Sequence, residues 1–384
     1  MDAHPITTTA RELQPLIREH LVAGEQQARL TKEVVTAVGQ SGLFRLYAPR
    51  EVGGLEVPPP VALAAIETVS AADPAVGWYM LNSIPACLAA ASLPERARDE
   101  LFAEPNRNFG FSAVPGGRAT PVDGGYRVSG QWPVVTGCED ARWCALAGLV
   151  MDGDSPQQRG SSPDGRLFLI PTAALDIAPT WQEAAAMRGT GSNAVSVREV
   201  FVPEMFAHSP AKPLVIDRPL FHLPSRILFS SCPPAVAFGV LDTAWQSATA
   251  ELSTKISSLS GQALRDQAPI QELIANCSAA LRAVRAGHCE AMNAIWDVAC
   301  TGAEVSQRLK ADLYASNFYA LEIVRDSISR LYTRGTRAAF MQGNAVERAL
   351  RNVHAIVFGV ELARPIHHAA GRVLLGGEVL DPAF

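Results

Sequence analysis

Small hydroxyl residues next to glycines are the first candidates for chemistry in this chain of 384 residues. Residues 125–137 read as a tight hairpin and a strand that ends at Thr136 and Gly137. Residues 188–193 place Ser192 after two glycines and before an alternating apolar pattern. Glycine allows a flat ligand to approach the backbone, and hydroxyl groups bind the polar edge of such a ligand. The two stretches therefore predict a small β domain that holds a ligand.

The sequence gives less support to other kinds of functional site. His367 and His368 are adjacent, and adjacent residues of a helix point about 100° apart, so they cannot chelate one metal ion as an i, i+4 pair would. The sequence has no Gly-x-Ser-x-Gly elbow, no Gly-x-x-x-x-Gly-Lys-Ser/Thr loop and no Gly-x-Gly-x-x-Gly motif after an early strand. A metal site, a serine hydrolase and a Rossmann dehydrogenase are disfavoured.

Composition sets the broad class. The chain is 48% hydrophobic and 18% charged, which is typical of a globular protein and favours buried subunit contacts. A net charge of −5 without a basic stripe argues against a nucleic-acid partner. Seven cysteines without a Cys-x-x-Cys pair disfavour a disulfide framework and favour a cytoplasmic location. No signal pattern and no apolar run of about 18 residues occurs, so no membrane partner is expected.

Periodicity divides the chain into three predicted domains, a helical one over 1–105, a β domain over 106–215 and a helical bundle over 216–384. Apolar residues at three- and four-residue spacing predict long helices in the last domain, at 240–260, 267–301, 303–334 and 345–369. β-branched runs bounded by turn residues predict strands at 108–114, 125–129, 143–150, 166–170 and 194–202.

This order of domains and four motifs resemble the acyl-CoA dehydrogenase superfamily, and most closely its two-component flavin-dependent monooxygenases. The motifs are residues 73–78, 125–137, 188–203 and 351–376. The resemblance implies a mainly α protein with a helical N-terminal domain, a β-barrel-like middle domain and a C-terminal four-helix bundle. It also implies a flavin between the middle domain and the bundle, and a homotetramer built as a dimer of dimers.

The same resemblance implies site residues. Thr136 matches the position that meets the N5/O4 edge of the flavin, and Arg265 matches an arginine that reaches the flavin of a neighbouring subunit. The complete implied cofactor set is Phe111, Ser112, Thr136, Gly137, Ser192, Arg265, Gln342, Gly343 and Asn344. The implied substrate set is Trp78, Asn82, Phe358 and Gly359.

Plainer interpretations exist for several of these positions. Without the resemblance, Thr136 reads as an ordinary strand end and Arg265 as a solvated charge. Trp132 reads as a packed aromatic residue of the β domain. Trp78 fits a substrate pocket and a protein core equally well.

The sequence departs from the pattern of these monooxygenases on the last long helix. Phe358 and Gly359 replace a Gln-His pair whose histidine acts near the flavin, and Asn352 replaces an aspartate. The glutamate base of the dehydrogenases is also missing from its segment. Either the substrate needs no base, or another group serves, or the oxygenase chemistry has been lost. His367 is the candidate replacement, two turns beyond Gly359 on a partly overlapping face if the helix is continuous.

The favoured function is oxygenation of a small aromatic or heterocyclic substrate by a flavin C4a-hydroperoxide. Reduced FMN or FAD would come from a separate reductase, because no nicotinamide-binding segment is visible. One alternative is an FAD-dependent desaturase of the acyl-CoA dehydrogenase type. The other is a flavin-fold protein with a non-redox or binding role.

Overall fold

The computed structural model describes residues 4–160, 162–209, 211–257, 260–361, 363–379 and 384. Helices form its two ends. They are α1 (Pro5–Glu12), α2 (Gln14–Gln27), α3 (Lys32–Gln40), α4 (Pro59–Ser70), α5 (Pro74–Ala89), α6 (Glu95–Leu101), α7 (Pro219–His222), α8 (Ser225–Ser230), α9 (Cys232–Thr254), α10 (Ala268–Cys300), α11 (Gln307–Arg334), α12 (Ala345–Glu361) and α13 (Arg364–Leu374).

The strands lie between α6 and α7. They are β1 (Phe109–Val122), β2 (Gly125–Val135), β3 (Trp143–Asp152), β4 (Ser155–Pro156), β5 (Gln158–Arg159), β6 (Ser162–Pro163), β7 (Gly165–Pro171), β8 (Asp176–Ala178), β9 (Asn193–Pro203) and β10 (Ala207–His208). The five predicted strands are confirmed, and β1 and β2 extend well beyond their predicted ends.

The main sheet has the order β10-β7-β3-β1-β2-β9-β8, with β4 paired to β3. β1 runs parallel to β3, and the other pairs in this sheet are antiparallel. Trp132 is fully buried in it and donates a hydrogen bond from Nε1 to the carbonyl of Ala147 at 2.8 Å. This position confirms Trp132 as a packed aromatic residue rather than a ligand contact.

Helix α5 joins the N-terminal helices to the sheet. Asp73 caps its first turn by accepting a hydrogen bond from the Ala75 amide at 2.8 Å, and Pro74 occupies a first-turn position where no amide hydrogen is needed. The helix is apolar on nearly all sides and packs against β1, α4 and α9. It therefore holds Trp78 and Asn82 between the sheet and the bundle.

Helices α9, α10, α11 and α12 pack against one another as a bundle, and α13 packs on α11. The predicted continuous helix over 345–369 is wrong, because α12 ends at Glu361 and α13 begins at Arg364. Pro365 lies in the first turn of α13, where proline favours the start of a helix over its continuation. The segment Ser225–Thr254 is apolar enough to cross a membrane, but 78% of its most apolar window is buried in the protein, as expected of a bundle core.

Candidate active site

Thr136, at the end of β2, pairs with Phe111 of β1 and begins a chain of buried hydroxyl groups. Thr190 donates to the carbonyl of Met187 at 2.7 Å, and Ser192 donates to Thr190 Oγ1 at 2.8 Å. Thr136 Oγ1 lies 2.9 Å from Ser192 Oγ. Each hydroxyl has a single hydrogen, and that of Ser192 is already used, so Thr136 must be the donor. Thr136 Oγ1 is left with acceptor lone pairs only.

Gly137 is required by the conformation and packing of the protein itself. Its φ is +64°, and its amide donates to the carbonyl of Thr190 at 3.0 Å. A Cβ at this position would lie 2.6 Å from Asn108 Nδ2 and 2.8 Å from Tyr79 Cε1. The protein's own packing and backbone conformation therefore require glycine here, without any ligand. Thr136 exposes only 2% of its surface.

A buried ionic clamp lies behind this strand end. Tyr79 donates its hydroxyl to Asp140 Oδ2 at 2.9 Å, and Arg29 donates to both Asp140 oxygens, with Nε at 3.0 Å from Oδ2. Burial, followed by the neighbouring Asp140 carboxylate, holds the pKa of Tyr79 well above its usual value, so the phenol stays protonated and donating. Sequence reasoning missed the clamp because Arg29 and Asp140 are 111 residues apart and belong to no motif.

Helix α12 is anchored to the hydroxyl chain at Asn352. Its Oδ1 accepts a hydrogen bond from the Met187 amide at 2.8 Å. Met187 has a φ of +49°, a conformation that a non-glycine residue holds only when its surroundings fix it. Arg351 adds a donor bond to the carbonyl of Ala185 at 2.7 Å. The substitution at Asn352 thus keeps the acceptor and avoids a charge in a buried position.

The four predicted substrate residues have different surroundings. Trp78 and Gly359 are brought together, since a Cβ on Gly359 would lie 3.8 Å from Trp78 Cζ2. Asn82 is buried and donates its amide to the carbonyl of Trp78 at 2.7 Å, within its own helix. Phe358 is 70% exposed and faces away from the interior of this chain.

The candidate replacement base, His367, does not lie on the same helix as Gly359. His367 lies on α13, a separate helix from that of Gly359, and its ring stacks on Phe318 with centroids 4.6 Å apart. The partly overlapping face assumed for a continuous helix does not exist. His367 therefore has no support from its position as the group that replaces the missing histidine.

The remaining cofactor candidates lie in loops of the bundle and on β1. Arg265 is exposed in a short 3-10 helix and lies 3.9 Å from Asp266. Gln342 and Gly343 are exposed before α12, and Asn344 accepts from the Val346 amide at 2.8 Å as its cap. Ser112 is buried on β1 beside Phe111. Contact of these residues with a flavin stays a prediction.

A cavity of about 570 Å³ opens beside Phe111. Leu88 and Ala89, at the end of α5, line the cavity, and so do residues 221–226 and Phe229. Phe229 meets Phe111 edge-to-face at 5.2 Å between ring centroids. This cavity is large enough and apolar enough for a multi-ring aromatic ligand.

Two family models match the chain. Residues 7–96 match the acyl-CoA dehydrogenase N-terminal domain and residues 232–358 the acyl-CoA dehydrogenase C-terminal domain, together more than half of the chain. The chain belongs to the acyl-CoA dehydrogenase superfamily. The predicted fold class is confirmed, and 3-HSA hydroxylase from Rhodococcus sp. RHA1 has the same fold, with a TM-score of 0.89 over 100% of both chains at 24% identity.

Within this superfamily the similar curated proteins are oxygenases. The oxygenase subunit HsaA of Mycobacterium tuberculosis, a flavin-dependent monooxygenase, is 26% identical over 92% of this chain and 91% of its own. Indole-3-acetate monooxygenase of Pseudomonas putida is 24% identical over 95% and 92%. A pigment production hydroxylase of Rhodococcus sp. is 34% identical over 55% of each chain. The chain is thus a flavin-dependent oxidoreductase of the monooxygenase group, as predicted.

Proposed function

We propose that this acyl-CoA dehydrogenase-fold monooxygenase binds reduced flavin at Thr136 and oxygenates an aromatic or heterocyclic compound in the cavity beside Phe111. The observation that carries the proposal is the direction of the hydroxyl chain. Because Thr136 donates to Ser192, its Oγ1 offers an acceptor at the strand end. Reduced flavin carries a hydrogen on N5 and oxidised flavin does not, so this acceptor favours the reduced form.

The bound flavin would supply the electrons that activate O2, and the protein would position the reactants and exclude water. Phe111 and Ser112 would lie along the ring, and Gly137 and Ser192 would fix the Thr136 edge. Arg265 would pair with a phosphate through its fork of donors. The loop of Gln342, Gly343 and Asn344 would approach from the bundle. The apolar cavity walls would exclude water from the reacting atoms.

The substrate would need no base at position 359. Gly359 supplies no proton-accepting group, and its neighbour Trp78 supplies only an indole donor. A ring nitrogen, a sulfur atom or an already acidic or electron-rich ring fits that environment. One relative acts on indole-3-acetate, and a dibenzothiophene monooxygenase of the same fold, 17% identical with a TM-score of 0.81, was solved with FMN and indole.

The assembly would be a cytoplasmic homotetramer served by a separate flavin reductase. Exposed apolar side chains on the bundle support subunit contacts, namely Tyr319, Phe340, Met341, Phe358 and Leu375. The choice between FMN and FAD would depend on the surroundings of the exposed Arg265, since only FAD brings an adenine and a second phosphate. One neighbouring structure contains FADH2.

Thr136→Val tests the flavin contact, with Thr136→Ser as the matched control. Anaerobic titration with reduced and oxidised FMN and FAD measures both affinities. We expect Val to weaken binding of reduced flavin about tenfold and to leave oxidised flavin nearly unchanged, because a hydrogen bond contributes about 1 kcal/mol. Ser should keep the preference for reduced flavin. Equal loss of both redox forms in Val would contradict the acceptor role.

A further inference from the structure

The far end of the cavity contains a histidine that the site described above does not use. Ala147 of β3, Leu167 of β7 and His208 of β10 are aligned across three neighbouring strands. All three line the cavity, while their neighbours Leu146, Phe168 and Ala207 are buried on the opposite face. Directly paired residues of neighbouring strands point to the same face of a sheet, so these three side chains form one continuous surface.

The tautomer of His208 follows from its partner. Ser92 Oγ donates to the carbonyl of Ala89 at 3.0 Å, and it lies 2.9 Å from His208 Nδ1. The single hydroxyl hydrogen of Ser92 is used on the carbonyl, so His208 Nδ1 must carry the hydrogen of this second bond. In neutral His208, Nε2 then has a lone pair, and it has no hydrogen-bond partner among the described residues.

The nearby cations are paired with other protein groups, so this end of the cavity is not an anion-binding site. Lys212 donates to the carbonyls of Glu204 and Ala207 and pairs with the Glu204 carboxylate at 3.2 Å. Arg166 pairs with Asp164 and with Glu204, both at 3.2 Å. Burial, followed by the charge of Lys212, lowers the pKa of His208 to about 4, so the imidazole is neutral near pH 7. The cavity end therefore presents an acceptor.

The distance between Phe111 and His208 sets the length of a ligand that contacts both. β1 and β10 are three strand spacings apart through β3 and β7. Neighbouring strands lie about 4.8 Å apart, and Phe111 pairs with Ala145, two residues along β3 from Ala147, which gives roughly 16 Å between the two ends of this face. A single ring at Phe111 cannot span that distance, whereas two or three linked or fused rings come close to it.

We propose that His208, held by Ser92, binds a hydroxyl or N–H group at the far end of an elongated aromatic substrate whose other end reaches Phe111. His208 is a specificity residue in this role, since it accepts a hydrogen bond remote from the reacting atom. A compound without a donor at that end leaves the acceptor buried and unpaired, which lowers its affinity. The inference rests on the proposed function, because it names the substrate class of the same cavity.

The test uses two probes, para-phenylphenol and its methyl ether, which differ only in the donor. Binding is measured by calorimetry at pH 7.5 under anaerobic conditions, with the full-length protein saturated with reduced flavin. We expect wild-type protein to bind the phenol about tenfold more tightly than the ether. The variant His208→Asn keeps a group that can meet Ser92 but lacks the cavity acceptor, and it should lose the preference.

The matched control is His208→Gln, whose side chain reaches the Nε2 position and should restore much of the preference. An unchanged preference in His208→Asn, no preference in wild-type protein, or no binding of either probe would overturn the inference. Failure of reduced flavin to bind in the first step would instead overturn the proposed function, so the two failures are distinct. Thermal melts followed by circular dichroism check that each variant is folded.

Discussion

Two regions of the candidate site are built differently. The strand end at Thr136 is buried, and each hydroxyl of its chain has a defined partner. The α12 wall at Phe358 and Gly359 is exposed and presents a bare backbone beside Trp78. The first region is rigid and presents a hydrogen-bond acceptor, whereas the second has room and no acid or base. The two regions therefore differ in rigidity and in the chemical groups that they present.

The largest expected effect comes from breaking the clamp behind the strand end. Asp140→Ala should lower the free energy of unfolding by about 3 kcal/mol, because Arg29 and Tyr79 lose a buried partner. Tyr79→Phe removes one hydrogen bond to a charged group and should cost about half as much. Urea unfolding measures both. Equal and small costs would mean that the clamp does not support the strand end.

The second-largest expected effect is a change of protein stability with pH. It arises at Asp73, which caps helix α5. Burial, with a smaller contribution from Glu25, raises the pKa of Asp73 from 3.8 to about 7, although the hydrogen bond from the Ala75 amide and the charge of Arg348 oppose the rise. The folded state therefore binds a proton more tightly than the unfolded state, so stability from this group is present at low pH and is lost as pH rises. The loss approaches about 1.4 kcal/mol per pH unit between pH 4 and 7.

Asp73→Asn should remove this dependence. The difference in unfolding free energy between wild-type protein and the variant, measured at several pH values, should shift in favour of the variant as pH rises from 5 to 8. Asparagine can still cap α5, so the helix end is preserved. A difference that stays constant with pH would contradict the raised pKa.

A smaller effect is expected where the two regions are joined. Asn352→Ala leaves the buried Met187 amide without its acceptor and should cost about 2 kcal/mol. Asn352→Asp keeps an acceptor and places a carboxylate near Arg351, so it should cost less. Chemical denaturation gives both values, and reduced-flavin affinity should fall with Ala. Identical behaviour of the two variants would mean that the acceptor is unimportant.

The smallest effect on stability and the sharpest on chemistry should come from Gly359→His. A Cβ fits at Gly359 with its nearest contact at 3.8 Å, and the position is exposed on a helix, so stability should change by about 0.5 kcal/mol or less. Raised hydroxylation of phenols in product analysis would show that only a base was missing. Loss of activity towards every substrate would show that the free volume matters. Gly359→Ala controls for bulk.

The sequence was informative where signals are local. The existence of the five main strands, the buried Trp132 and the hydroxyls of Thr136 and Ser192 follow from runs and turns that can be read directly. The break before α13 was also readable, since Pro365 disfavours a helix interior, but the apolar spacing suggested continuity.

The supporting contacts were not readable. Arg29 meets Asp140 and Ser92 meets His208 only after the fold brings distant segments together, and single charged or polar residues carry no periodic signal. The directions of the hydroxyl bonds likewise depend on atomic distances. These contacts determine which hydrogen bonds Thr136 and His208 can accept. The chemistry of the site therefore could not be predicted from sequence patterns.

The most direct test is to bind reduced flavin anaerobically and then mix the complex with oxygen. Stopped-flow absorbance in the band of oxidised flavin follows reoxidation, with free reduced flavin as the reference. We expect tight binding of the reduced form, reoxidation about tenfold slower than that of free flavin, and faster completion when an aromatic substrate is present. Absence of binding, or bleaching of a tightly held oxidised FAD by an acyl-CoA, would contradict the oxygenase assignment.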